Sequence, residues 1–148
     1  MQYVSQPLIY PSSVEYREYQ RKIVEVSSRK NTLVILPTAL GKTIISALIA
    51  ANVLYSFMDK KILVMAPTRP LAMQHKNVFQ RIIMLPQEDF VLLTGKINSE
   101  YREAIWNGPS RIIFATPQVV RNDMLLKGLK LNDFGLVVFD ECQRSVKE

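Results

Sequence analysis

Gly41, Lys42 and Thr43 close the stretch LPTALGKT at residues 36–43, and together they carry what phosphate binding asks of neighbouring residues. A glycine lets backbone N–H groups approach oxygen atoms closely, a lysine adds a point charge, and a threonine hydroxyl can ligate Mg²⁺. The general pattern is glycine, four arbitrary residues, then Gly-Lys-Ser/Thr. Here the first glycine position is Leu36, and Ala39 stands where many such loops have a second glycine. Thr38, Ala39 and Leu40 supply the remaining backbone groups of the loop. Context separates a phosphate loop from an ordinary turn. TLVILP before it reads as a buried parallel strand, and TIISALIAANVLYSFM after it reads as a helix packed on a sheet. Strand, tight turn and helix N-terminus form the setting in which the motif has a mechanism.

VVFDECQ, residues 137–143, is the second such stretch. A hydrophobic strand ending in Asp140 offers a carboxylate that can hold Mg²⁺ through water. Glu141 follows immediately and is placed to polarise a water for attack on a γ-phosphate. The pair favours hydrolysis over transfer to a bound acceptor, which weakens a kinase reading.

The elements that must position these residues are legible as alternating segments. Residues 1–13 hold two prolines and three serines without a clear period and are expected to be an extended lead-in. VEYREYQRKIVEVSSR (14–29) is expected to be a helix with Tyr16, Tyr19, Ile23 and Val26 on one stripe. Strands are expected near 32–36, 60–67, 89–94, 111–116 and 134–141. Helices are expected between them: to about residue 57, over RPLAMQHKNVFQRIIM (69–84) with Pro70 in its first turn, over 98–107 with Asn98 or Ser99 as cap, and from Pro117 to a stop at Gly128. Such alternation means a mostly parallel α/β sheet with helices on both faces. Ligands of such sheets gather beyond the carboxyl ends of the strands. Lys42 and Thr43, Thr68 and Arg69, Thr94 and Gly95, Thr116 and Pro117, and Asp140 and Glu141 all follow strand ends.

Composition bounds the rest. The chain has 148 residues, enough for one domain with a real core, and its 48% hydrophobic content excludes disorder as the main state. A net charge of +6, with isoelectric point near 9.6, favours a polyanionic partner, although the charges are dispersed. Cys142 is the single cysteine, which excludes an internal disulfide and fits a reducing cytosol. No segment reaches the roughly 20 apolar residues of a membrane span, and MQYVSQPLIYPSS has neither a basic nor an apolar signal region, so no secretion signal is expected. A cytoplasmic location is expected, nucleoid-associated if the source is prokaryotic. His75 reads as a helix surface residue, and Trp106, Tyr16, Tyr19 and Tyr101 as packing residues.

YREYQ, LPTALGKT, MAPTRPLAMQH, LTGK, ATPQVVRND and VVFDECQRSV, in this order, resemble the first RecA-like domain of superfamily 2 helicases. The likeness is strongest to the archaeal Hef and eukaryotic FANCM branch of DNA translocases, and it covers the chain from about residue 14 to Glu148. It implies a RecA-like P-loop NTPase fold, ATP and Mg²⁺ as cofactors, and ATP-dependent helicase activity in repair of forked or branched DNA. By the same resemblance Arg17 and Gln20 match an adenine-sensing motif. Thr68, Arg69, Thr94, Gly95, Thr116 and Pro117 match the track that grips a nucleic-acid backbone, single-stranded or branched DNA with RNA possible. Gln143 matches a histidine that couples nucleotide state to a second RecA-like domain, and Ala39 replaces a glycine of the family. The family also has a Ser-Ala-Thr motif after the acidic pair, whereas this chain ends seven residues past Glu141, so a truncated first domain over 14–148 is expected. An RNA-directed helicase, or a nucleotide-dependent binding module without turnover, is the alternative.

Overall fold

Runs of four to eight apolar residues rich in Val, Ile and Leu, each followed by a helix-forming segment, can bury both faces only inside a parallel sheet. The computed structural model of the chain describes residues 2–15, 32–37 and 40–141, with side chains for 2–15 and 42–140. Its strands are β1 (Thr32–Pro37), β2 (Lys61–Met65), β3 (Phe90–Leu93), β4 (Ile112–Ala115) and β5 (Phe134–Glu141). Between them run α1 (Leu40–Ser56), α2 (Arg69–Ile82), α3 (Ser99–Trp106) and α4 (Pro117–Lys127). All pairings are parallel, and the order is β1-β5-β2-β4-β3. The last strand thus enters between the first two.

Side chains on successive strand positions divide between two cores, as the period of two requires. Ile62, Val64, Ile112, Phe114, Leu136 and Val138 join α1 and α2 on one face. Leu63, Met65, Ile113, Ala115 and Val137 join Trp106 of α3 and Val119 and Val120 of α4 on the other. Edge-on ring contacts tie helix to sheet on each side. Phe79 meets Phe114 at 5.3 Å between centroids, and Trp106 meets Phe134 at 5.9 Å. Residues Ala47 to Ala51 of α1 are buried all round, which explains why that helix is apolar on every side.

The helix ends follow local chemistry. Thr68, Asn98 and Thr116 each accept a hydrogen bond from a first-turn N–H, so the cap of α3 is Asn98. Gly128 ends α4 in the left-handed region at φ 72°, where a side chain would be strained. Residues 2–15 fold back on the first core. Tyr3 bridges Glu15, Ile9 bridges Ile83, and Gln6 donates to Asn52 of α1 at 2.8 Å. The expected helix over 14–29 lies outside the described residues apart from Val14 and Glu15, and Glu15 is extended in that bridge.

Gly135 reports how closely α1 approaches β5. A Cβ added there would lie 2.9 Å from Val53 Cγ1 and 2.9 Å from Lys60 Cβ. Gly135→Ala is expected to cost about 1–3 kcal/mol by overpacking, read as a lower midpoint in chemical denaturation. An unchanged midpoint would contradict this close contact.

Candidate functional site

Strand register lines the candidate residues along one edge. Ile35, Phe139, Met65, Ala115 and Leu93 form a row across the whole sheet. Immediately beyond that row come the loop to α1, Asp140 and Glu141, and the turns to α2, α3 and α4. Because every described α-helix after β1 leaves from this edge, the N-termini of those helices lie near it, and helix N-termini favour anions.

At the β1–β5 seam, Leu36 is the register partner of Asp140 and Pro37 that of Glu141. The start of the phosphate loop is thereby set beside the acidic pair. Lys42 is exposed and Thr43 is buried in the first turn of α1, where Ser46 Oγ donates to the Lys42 carbonyl at 3.1 Å. Asp140 is only 7% exposed and shares the face of Leu136 and Val138, which α1 and α2 cover. Thr43, Lys42 and Asp140 fit a nucleotide phosphate with Mg²⁺: hydroxyl and carboxylate oxygens are the ligands that hard cation takes. Thr38, Ala39, Arg17, Gln20 and Gln143 lie outside the described residues, and Leu40, Gly41 and Glu141 are placed by backbone alone.

His75 corrects the sequence reading. It is buried, not on the helix surface, and its Nε2 lies 2.7 Å from Asp140 Oδ2. Ala72, His75, Val78, Phe79 and Ile82 form the inward stripe of α2, a helical spacing that would have marked His75 as inward. Nδ1 has no partner among the described residues. A carboxylate oxygen accepts, so Nε2 carries the proton of this hydrogen bond and donates it to Asp140.

Along the rest of the edge, Arg69 and Gly95 are exposed, and Thr68, Thr94, Thr116 and Pro117 are half-buried. The hydroxyls of Thr68 and Thr116 accept from Leu71 N at 3.3 Å and Val119 N at 3.5 Å, and Thr94 accepts from Lys96 N at 3.3 Å. Each therefore has its own O–H free to donate to an anion. Lys96, exposed beside Gly95, adds a cation that sequence reading had not singled out. Tyr101, read as packing, is instead 62% exposed because it lies on the outer side of the short α3.

Beneath this edge is a buried clamp. Arg102 donates through Nε to Asp123 Oδ2 at 2.9 Å and through a terminal nitrogen to Oδ1 at 2.8 Å, and Trp106 Nε1 donates to Oδ2 at 2.8 Å. A further Arg102 nitrogen donates to the Ile97 carbonyl at 2.6 Å, so the Thr94–Ile97 turn, α3 and α4 are held together. Burial by itself raises the Asp123 pKa, but the hydrogen bonds from Arg102 and Trp106 and the charges of Arg102 and Lys127 outweigh it. The net shift is downward. Its hydrogen bond to Asp123 chiefly raises the Arg102 pKa.

With this geometry in hand, the comparisons with known proteins are specific. The model of the DEAD/DEAH box helicase family matches residues 17–148. The chain belongs to that family. It is 45% identical over 93% of its length to the DEAD-box ATP-dependent DNA helicase Fancm of Drosophila melanogaster, and covers 9% of that protein. It is 39% identical, again over 93% of its length, to the DEAD-box ATP-dependent RNA helicase FANCM of Arabidopsis thaliana, covering 10% of it. The Hef helicase domain of Pyrococcus furiosus superposes with TM-score 0.78 at 40% identity, over 90% of this chain and 28% of that one. The fold is thus RecA-like, and this helicase-family chain spans about a tenth of the length of the two named relatives. Among the described residues no helix is long and apolar enough to cross a membrane.

The clamp in this helicase-family fold has a pH signature. The folded Asp123 pKa is depressed, so its stabilisation is present above the ordinary carboxylate value of about 3.9 and is lost as pH falls through the folded value. Asp123→Asn leaves a buried guanidinium without its counter-charge and is expected to cost about 3–5 kcal/mol at pH 7. It should also flatten the loss of stability below pH about 4, measured by urea titration at several pH values. A variant as stable as the parent at neutral pH would refute the clamp.

Proposed function

We propose that this chain is the nucleotide-binding, backbone-tracking part of an ATP-dependent DNA helicase or translocase that acts on forked or branched DNA. One observation carries it: β5 lies between β1 and β2 and delivers Asp140 to the register partner of Leu36, at the mouth of the phosphate loop. Thr38 to Thr43 would surround the phosphates of ATP, with Lys42 neutralising charge. Thr43 and Asp140 would hold Mg²⁺, which supplies charge neutralisation at the phosphates when bound. Glu141 would take a proton from the attacking water, Arg17 and Gln20 would meet the adenine, and Gln143 would face a second RecA-like domain. Thr68, Arg69, Thr94, Gly95, Thr116 and Pro117 would contact sugar and phosphate, which fix register without reading sequence. A relative named as a DNA helicase, at 45% identity, favours DNA over the RNA reading supported by a relative at 39%.

Lys42→Ala is expected to abolish binding of a fluorescent ATP analogue, whereas Glu141→Gln spares it. Retained binding in the lysine variant would overturn the phosphate-loop assignment. Affinity for labelled single-stranded DNA should fall with salt at a log–log slope of about −0.7 per phosphate contacted, or about −0.9 on duplex. Arg69→Ala should weaken binding to all sequences alike and flatten that slope by about one contact. A salt-independent affinity would count against the backbone track.

A further inference from the structure

We propose that His75 is a positioning residue for the Asp140 carboxylate, an assignment that rests on Asp140 serving a nucleotide-bound Mg²⁺ as inferred above. A carboxylate at a strand end can turn about its side-chain bonds, and a cation site works only when those rotations are restrained. Second partners that hydrogen-bond a metal ligand do this, and losing one typically lowers metal affinity about 10–100-fold. His75 has the attributes such a partner needs. Its side chain is 6% exposed and is held in the inward stripe of α2 between Ala72 and Val78. Its Nε2 reaches Asp140 Oδ2 at 2.7 Å, across 65 residues of sequence. The other oxygen, Oδ1, takes no hydrogen bond from a described residue, so one oxygen is anchored while the other can serve a hydrated cation.

The helix that presents His75 begins at Thr68 and Arg69, so the same rigid element carries a proposed backbone contact at its N-terminus and the anchor of Asp140 two turns later. A shift of α2 along its axis would move both. His75 thereby gives the nucleic-acid edge a direct mechanical link to the cation ligand, made of one helix and one hydrogen bond.

The test compares the 148-residue chain with His75→Leu, which fills the space without a donor, and His75→Gln, which keeps an N–H donor. Mg²⁺ is titrated against a fluorescent ADP analogue, and binding of the same nucleotide is measured in EDTA. In the leucine variant the Mg²⁺ concentration at half-saturation should rise about tenfold or more, and in the glutamine variant it should stay within about threefold of the parent. Metal-free nucleotide binding should be equal in all three. An unchanged midpoint in His75→Leu, a glutamine variant as impaired as leucine, or metal-free binding that falls in step would each overturn the proposal. A second measurement needs no cation. Nitrogen-15 NMR of the metal-free chain should show His75 with its proton on Nε2, and Asp140→Asn should shift that resonance. A proton on Nδ1, or no response to the substitution, overturns the proposal. If the parent shows no Mg²⁺-dependent nucleotide binding, the phosphate-site reading is what fails, and the NMR result still decides whether His75 holds Asp140.

Discussion

The pairing of β5 with both β1 and β2 is the constraint on which the site depends. β1 and β2 are linked by α1 and would be natural neighbours, yet they are held apart by a strand that arrives about a hundred residues later in the chain. Parallel pairing aligns carboxyl ends, so the insertion places Asp140 beside Leu36 on one side and one residue beyond the Met65–Phe139 pair on the other. Neither the loop nor the acid has its neighbour until that long-range contact forms, and such contacts are costly in chain entropy. The strand is therefore built to hold. Leu136 and Val138 are fully buried, and Gly135 lets α1 and Lys60 close over it.

The other half of the edge is secured by polar chemistry. The β4–β3 side carries short strands of four residues, and α3 is only eight residues long, so packing alone gives it little purchase. A bidentate Arg102–Asp123 pair with a third donor from Trp106 compensates with direction as well as energy. Because the same guanidinium also holds the Ile97 carbonyl, the turn bearing Thr94 and Gly95 is fixed relative to the one bearing Thr116 and Pro117.

Much of this was legible in the sequence, for physical reasons. Short apolar runs bounded by turn residues announced every described strand within a few residues, and Pro70, Pro117, Asn98 and Gly128 marked helix ends because each suits one local geometry. The roles that required two distant residues to meet were not legible. His75 is a single polar residue whose partner lies 65 positions away, and reading it by polarity alone placed it on the surface. Its helical phase with Ala72, Val78 and Ile82 carried the opposite message, and phase was the better guide. Arg102 and Asp123 escaped notice for the same reason: they lie on different helices 21 residues apart, and nothing in either segment announces the other. Tyr101 shows the converse error, since an aromatic residue was assumed to pack while its position on α3 turns it outward.

Thr68 and Thr116 show how the fold and the proposed track share atoms. A threonine at a helix N-cap is favoured because its oxygen accepts from the first-turn N–H, which is a matter of helix stability. That acceptance spends a lone pair and leaves the hydroxyl proton available to another acceptor. The cap also stands where the positive end of the helix dipole emerges, beyond the carboxyl edge of the sheet. A residue chosen to start a helix at this edge thus keeps a donor in a field that favours phosphate. The following proline, at the first or second position of α2 and α4, lacks an N–H and so offers no competing donor there. Stability and binding select the same residue types at these two turns. The distinction between them lies in the neighbours: an exposed Arg69 beside Thr68 has no task in capping, and the proposed track is what would give it an anion to meet.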